Sequence, residues 1–177
     1  MQGISRQRGV SLVEVLVAVL IFTIGLLGLA GLMVMATRSN HAAYVRTQVI
    51  FLAANMANRM SANPTGIWSG SYNSTTYPVP AASAGCGSGA ACGPAALATH
   101  DQQIWSAQLT TFLSNPKASI SCTGTGAVGF DPSAQLNYRP PYGGICTMNI
   151  SWSERSANDQ SVQSAVPQST FAWQFQP

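Results

Sequence analysis

The stretch GVSLVEVLVAVLIFTIGLLGLAGLMVM, residues 9–35, determines how this chain folds. It contains one charged residue, Glu14, and residues 15–37 include no Asp, Glu, Lys, Arg, His or Pro. A helix needs about 20 mainly apolar residues to cross the hydrocarbon core of a bilayer. The sequence therefore predicts a membrane-spanning helix behind a short basic leader, MQGISRQRG, at residues 1–9.

Three interpretations of this N-terminus are open. A secretory signal peptide has an apolar segment of about 7 to 15 residues before a small-residue cleavage site, and this segment is longer, although residues 34–36 form a weak site. A signal anchor needs basic residues on its cytoplasmic side, which the leader supplies, but it gives Glu14 no role. The third is a class III prepilin. The residues resemble that signature: a basic leader, Gly9 at the cut, then VSLVE from Val10 to Glu14.

Glu14 has both a structural and a functional explanation. An acid in the first turn of a helix is favoured by the helix dipole by about 0.3–1 kcal/mol. A carboxylate deeper in hydrocarbon costs about 2.5–3.5 kcal/mol on insertion scales, which a nearby cation would offset. Cleavage after Gly9 would create such a cation, the α-amine of Val10. The prepilin resemblance implies that Glu14 pairs with this amine on an adjacent subunit.

Three glycines follow one another at intervals of three within the apolar run: Gly25, Gly28 and Gly31. Small residues in membrane helices allow neighbouring helices to approach closely. The same glycines would also permit local melting of the helix during assembly, because glycine is the poorest helix former after proline. The spacing alone does not separate these two roles.

Beyond the apolar run, residues 38–60 continue without Pro or Gly. Their apolar residues recur at intervals of three and four, which is typical of one face of a helix: Ala42, Val45, Val49, Leu52, Met56 and Met60. This face needs a partner, most simply a β-sheet. The NPTG sequence at residues 63–66 then stops the helix. We therefore predict one helix over residues 10–62, with a membrane part at 10–36 and an amphipathic part at 37–62.

Two longer segments resemble the PilV-type minor pilins, also called type IV pilus modification proteins: GLLGLAGL at residues 25–32 and NHAAYVRTQVIFLAANMANRMSANP at residues 40–64. The resemblance implies leader removal by a prepilin peptidase, N-methylation of Val10, and low-copy incorporation into a type IV pilus beside the major pilin and other minor pilins. It further implies support of pilus assembly, twitching motility and cell adhesion. Before assembly such a protein sits in the inner membrane with a periplasmic head, and afterwards in the pilus at the cell surface.

Two alternatives stay open beside this resemblance. Minor pseudopilins of type II secretion systems share the leader and the long helix. A signal-anchored periplasmic binding domain that never polymerises would belong to a different class. Only 7% of the residues are charged, against about 25% in typical soluble proteins, which argues against a cytosolic enzyme and against a nucleic-acid-binding protein.

Residues 63–177 are predicted to form a periplasmic globular domain. Residues 68–94 are predicted to be a loop, and residues 99–113 a helix capped by Thr99 or Asp101. Alternation predicts strands at 118–122, 146–152 and 171–175, with a weaker candidate at 162–166. The predicted fold class is α+β, a pilin-like long helix packed on a small antiparallel sheet.

The four cysteines fit two disulfides in an oxidising compartment. Antiparallel pairing of the first two predicted strands would bring Cys122 beside Cys146, which favours that bridge and leaves Cys86 with Cys92. The 86–92 spacing is not the redox C-x-x-C motif. A zinc site would need further ligands, and His100 is the only nearby histidine, so we expect no metal and no cofactor.

The sequence also gives no sign of an enzyme. No serine lies in a G-x-S-x-G motif. The acidic residues are few and mark no catalytic pair, so we interpret them as solvated or capping groups: Glu14, Asp101, Asp131, Glu154 and Asp159.

Overall fold

A computed structural model describes residues 9, 11–81, 86, 91–124, 132–138, 140–154 and 168–177. The elements in chain order are α1 (Leu12–Ala62), α2 (Pro64–Trp68), β1 (Ser74–Tyr77), α3 (Pro94–Phe112), β2 (Lys117–Thr123), a 3-10 helix (Pro132–Tyr138), β3 (Ile145–Ser153) and β4 (Gln168–Phe175). The predicted α+β class, a long N-terminal helix with a small antiparallel sheet, is confirmed. Most of the leader, Val10 and the strand candidate at 162–166 lie outside the described residues.

Two compact units divide the chain, Met1–His41 and Ala42–Pro177. The first contains the apolar part of α1. The second, which we call the head, contains the remainder of α1 and all the other elements. The boundary falls inside α1, so the division reflects packing and not a break in the helix.

Helix α1 ends at Ala62 because the following sequence cannot continue it. Pro64 disfavours helical geometry at the residue before it, and Asn63 has φ −129° and ψ 62°. The side chain of Asn63 then accepts a hydrogen bond from the N–H of Gly66 at 3.2 Å, which caps the short helix α2.

The sheet has the strand order β1-β2-β3-β4, and every neighbouring pair is antiparallel. In the β2–β3 register Cys122 lies opposite Cys146, and a disulfide joins them with a Cα–Cα distance of 4.0 Å. The second disulfide joins Cys86 to Cys92. This is the connectivity that the sequence favoured.

One hydrophobic core fills the head between α1, α3 and the sheet. The α1 stripe supplies its central side chains, all buried: Val49, Leu52, Met56 and Met60. The sheet supplies Ile120, Met148 and Ile150, and α3 supplies Trp105 and Leu109, again all buried. The indole N–H of Trp105 donates to the carbonyl of Leu52 at 2.9 Å, which ties α3 to α1. The predicted packing of the amphipathic part of α1 on a sheet is confirmed.

Helix α3 begins earlier than the sequence predicted, at Pro94 instead of residue 99. Proline is well suited to the first turn of a helix, because its φ is already helical and its missing N–H would have no partner there. The residue at the cap position is Gly93, which makes no side-chain capping bond. The Thr99 hydroxyl donates back to the carbonyl of Ala95 at 3.1 Å. The prediction that Thr99 or Asp101 caps this helix is therefore wrong.

The prediction of a loop at residues 68–94 is also wrong in part. This stretch contains β1, which pairs with β2 through an irregular register between Ser74 and Tyr77. The STTY sequence of β1 is too short to show an alternation, and only Tyr77 in it is buried. The strand conformation of β1 therefore depends on its pairing with β2, which the local sequence does not indicate.

Candidate assembly interface

Glu14 lies in the first turn of α1. The carbonyl of Ser11 accepts the N–H groups of Glu14 at 3.0 Å and Val15 at 3.3 Å, so the helix is already formed at this position. The Glu14 side chain is exposed, and within the described part of the chain it has no hydrogen-bond or ion-pair partner. A cation that neutralises this carboxylate is therefore not supplied by the described residues; the α-amine of Val10 and the basic leader lie outside them.

The surface around Glu14 is apolar and uncovered. Every residue from 11 to 40 is exposed, with Phe22 at 66% and Met33 at 75%. An 18-residue window of α1 has a mean hydropathy of 2.7, and none of it is buried within the chain. Soluble monomers rarely expose apolar patches of this extent. By length and composition α1 can cross a membrane, and this surface needs lipid or other helices as its environment.

The two hydroxyl groups within residues 12–37 are satisfied locally. Thr23 donates to the carbonyl of Leu20 and Thr37 to the carbonyl of Val34, both at 2.9 Å. Such back-bonding removes the cost of an unpaired polar group in hydrocarbon. Apart from Glu14, the surface of residues 12–37 is therefore compatible with a lipid environment.

Three glycines interrupt the large side chains of this surface without interrupting the helix. A Cβ atom built at Gly25, Gly28 or Gly31 would meet nothing within 4 Å. Within the described part of the chain, no contact requires glycine at these positions. The space they leave on the helix is available to a neighbouring helix.

The head contains a buried polar network that the sequence did not reveal. Arg59 on α1 donates through Nη1 to Oδ1 of Asp101 on α3 at 3.0 Å. The other carboxylate oxygen, Oδ2, accepts from the hydroxyl of Tyr72 at 2.8 Å. That hydroxyl in turn accepts from Nδ2 of Asn63 at 3.1 Å. The interpretation of Asp101 as a solvated or capping group is wrong, because only 5% of it is exposed.

Burial raises the pKa of Tyr72 well above its ordinary value, and its hydrogen bond to the Asp101 carboxylate raises the pKa further. Burial similarly raises the pKa of Tyr77, whose hydroxyl donates to the carbonyl of Tyr72 at 2.9 Å. Both hydroxyls thus stay protonated and act as donors. The network has one signal in the sequence, a charged residue four positions before Trp105 on the buried face of α3.

The predicted site residues fall into separate units. Gly9 and Glu14 belong to Met1–His41, whereas all four cysteines belong to Ala42–Pro177. Within the described residues, no group of three or more His, Cys, Asp or Glu side chains could hold a metal ion.

A family model described as the prokaryotic N-terminal methylation motif matches residues 4–30. The match includes Gly9, Val10 and Glu14, together with most of the uncovered apolar surface. No curated protein and no solved structure matches the chain. The motif is the class III signal of type IV pilin-like proteins, and it indicates a protein of the pilin or pseudopilin type. This signal implies processing by a prepilin peptidase and is consistent with membrane anchoring and pilus assembly.

Proposed function

We propose that the chain is a minor pilin of a type IV pilus. A prepilin peptidase removes the leader after Gly9, and the new N-terminus at Val10 is methylated. The mature subunit then assembles with the major pilin and other minor pilins. In this role it takes part in pilus initiation and supports twitching motility and adhesion.

The observation that carries this proposal is the methylation motif in front of an uncovered apolar helix with one acid. A carboxylate within hydrocarbon costs about 2.5–3.5 kcal/mol unless a cation accompanies it. In a bundle of such helices, the amine of Val10 on one subunit neutralises Glu14 on the next. The three glycines allow the helices to approach closely enough for this pairing.

The two disulfides support a periplasmic location for the head before assembly. Disulfides persist in the bacterial periplasm and at the cell surface, and are rare in the reducing cytosol. The subunit accordingly waits in the inner membrane with its head outside, and later becomes part of a fibre on the cell surface.

We further propose that the role of the head is structural and not catalytic. Four of its polar side chains, Arg59, Asp101, Tyr72 and Asn63, bond one another in one network. Glu154 accepts a hydrogen bond from the indole of Trp152 at 3.0 Å. These groups hold elements of the fold together, which suits a domain carried by a filament.

Mass spectrometry of the mature N-terminus tests the proposal. The chain should be isolated both from membranes and from sheared pili, and it should begin at N-methylated Val10 in both fractions. An intact Met1 would instead identify a signal-anchored domain. A start at Thr37 would identify a secreted soluble protein.

A minor pseudopilin of a type II secretion system is the second candidate, because the same motif serves both systems. Deletion of the gene separates them. Loss of surface pili with normal secretion of exported enzymes supports the pilus. Loss of enzyme secretion with normal pili would assign the chain to the secretion system.

A further inference from the structure

Strand β4 forms one edge of the sheet. Within the described ranges it pairs with β3 only, so its outer row of backbone N–H and C=O groups has no strand beside it. Its sequence, QSTFAWQF, contains no charge and no proline. Sheet edges are usually protected by charged residues, proline or bulges, and a long edge without them is a template for another strand.

The inner face of β4 is also incompletely covered. Phe171 and Phe175 lie opposite the buried residues Ile150 and Cys146, yet they and Trp173 between them are only partly buried. The rings of Trp173 and Phe175 stack with centroids 4.6 Å apart. The apolar core therefore continues to the edge of the sheet as a row of three half-covered aromatic side chains.

A groove of about 390 Å³ runs beside this edge. Its walls are Arg46, Val49 and Ile50 on α1, with Trp152 on β3 and residues 169–171 on β4. Ile50 is 55% exposed. The groove is thus lined by four apolar side chains together with Ser169 and Thr170, with one cation at the side.

Arg46 gives the groove its charge preference. It is exposed and, within the described part of the chain, has no ion pair or hydrogen bond. Of the two acids described in the head, Asp101 pairs with Arg59, and Glu154 accepts from Trp152 through Oε2 while its Oε1 is buried without a hydrogen-bond partner. No carboxylate of the described head residues therefore pairs with Arg46, which leaves its charge available to a partner.

We infer that the β4 edge and this groove bind an extended strand of a different pilin-like subunit. The added strand continues the sheet through backbone hydrogen bonds, places apolar side chains at alternate positions against the aromatic row, and presents a carboxylate to Arg46. That the partner is a pilin-like subunit rests on the proposed function. The chemistry of the groove is observed independently of that function.

Photocrosslinking in the full-length protein, in its native membrane, tests this inference. A benzophenone amino acid replaces Ala172, which is exposed on β4. The matched control is Ser121, which is exposed on β2, two strands from the edge and so about 10 Å away at the usual strand spacing. We expect a crosslinked product from position 172 and little from position 121. Peptide mapping should place the crosslink in an extended segment of a second protein that carries the methylation motif.

The charge requirement is tested on the same crosslink. Arg46→Glu should reduce its yield about tenfold, because the partner carboxylate would face a like charge. Arg46→Lys should retain most of it. Lys117→Glu makes the same charge change at an exposed residue of β2, outside the groove, and should leave the yield unchanged.

Several outcomes would overturn the inference. A crosslink to a second copy of this chain, to its own residues 155–167, or to a protein without the methylation motif contradicts the occupant proposed here. Equal yields from positions 172 and 121 contradict the edge as the site. The mature N-terminus is measured in the same samples. A methylated Val10 without the crosslink rejects only this inference, whereas an unprocessed Met1 rejects the proposed function.

Discussion

The guanidinium of Arg59 lies 3.0 Å from the carboxylate of Asp101, which joins the last turns of α1 to the middle of α3. The two side chains are 27% and 7% exposed. The same carboxylate accepts a hydrogen bond from the Tyr72 hydroxyl. One buried acid thus links α1, α3 and the segment between α2 and β1. The C-terminal part of α1 is thereby fixed within the head by a directional contact as well as by apolar packing.

Removing one member of this ion pair should destabilise the head strongly. Asp101→Ala leaves the Arg59 cation and the Tyr72 hydroxyl without their acceptor, and breaking a buried pair from one side costs about 3–5 kcal/mol. The free energy of unfolding of the full chain in detergent, measured by denaturant titration, checks this. Arg46→Ala removes an arginine that has no partner in the described chain and should change the stability by less than about 0.5 kcal/mol. Equal effects of the two variants would show that the Arg59–Asp101 contact contributes nothing specific.

The raised pKa of Tyr72 predicts a loss of stability at alkaline pH. The folded head holds this hydroxyl protonated, whereas in the unfolded chain it ionises near its ordinary pKa of 10.0. A group whose pKa is raised by folding contributes its full stability below the unfolded pKa and loses it as the pH rises further. The free energy of unfolding should therefore fall above about pH 10. In Tyr72→Phe it should be lower at neutral pH but should fall less steeply above about pH 10.

Unfolding curves of both proteins at several pH values, under conditions that keep the disulfides intact, give this comparison. Tyr77→Phe is the companion variant, because burial raises the pKa of that residue as well. If the Tyr72→Phe and unmodified chains lose stability in parallel above pH 10, Tyr72 does not control the alkaline transition.

The two disulfides should differ in their contribution to stability. Cys122–Cys146 closes a loop with a sequence separation of 24, whereas Cys86–Cys92 closes one of 6. The chain-entropy model gives about 3.5 kcal/mol for the larger loop and about 2 kcal/mol for the smaller. The paired substitution Cys122→Ala with Cys146→Ala should therefore lower the unfolding midpoint more than the corresponding change at 86 and 92. The reverse order would indicate that strain or residual structure outweighs loop entropy.

Periodicity predicted the parts of the fold that bury a continuous face. The stripe on α1 and the alternation in β2, β3 and β4 each repeat over several residues, and their burial follows the pattern. The register that places Cys122 opposite Cys146 could be derived because both strands were visible in the sequence.

The parts that could not be predicted depend on contacts between distant residues. Strand β1 has no pattern of its own and is ordered by β2. Asp101 looked like a surface acid, because nothing local indicates that Arg59, at a sequence separation of 42, reaches it. The unpaired Arg46 and the open β4 edge likewise become visible only when the sheet order is known.

Close packing of the membrane helices predicts that a larger residue at Gly28 impairs incorporation into pili, whereas a substitution at Gly93 in the head does not. A Cβ atom at Gly28 meets nothing within 4 Å, so Gly28→Leu should leave the fold and membrane insertion of the single chain intact. It should nevertheless reduce incorporation into pili, because a bulky side chain separates neighbouring helices. Gly93→Ala, at an open position in the head, is the control. Quantitative blotting of membrane and sheared-pilus fractions measures both, and unchanged incorporation of Gly28→Leu would remove the packing role.

Glu14 provides the most direct test of assembly, because it is the one charged residue between positions 11 and 37 and has no partner among the described residues. Glu14→Gln keeps the size and most of the hydrogen-bonding capacity of the side chain but cannot neutralise an amine. Its membrane insertion should be equal or easier, since a neutral amide costs less in hydrocarbon than a carboxylate, and leader cleavage should continue. Incorporation into pili should fall by at least about tenfold, which corresponds to about 1.4 kcal/mol for one ion pair in a low-dielectric bundle. Glu14→Asp, which retains the charge on a shorter side chain, should recover part of that loss. Pili that contain Glu14→Gln at the normal level would show that the carboxylate serves only the first turn of its own helix.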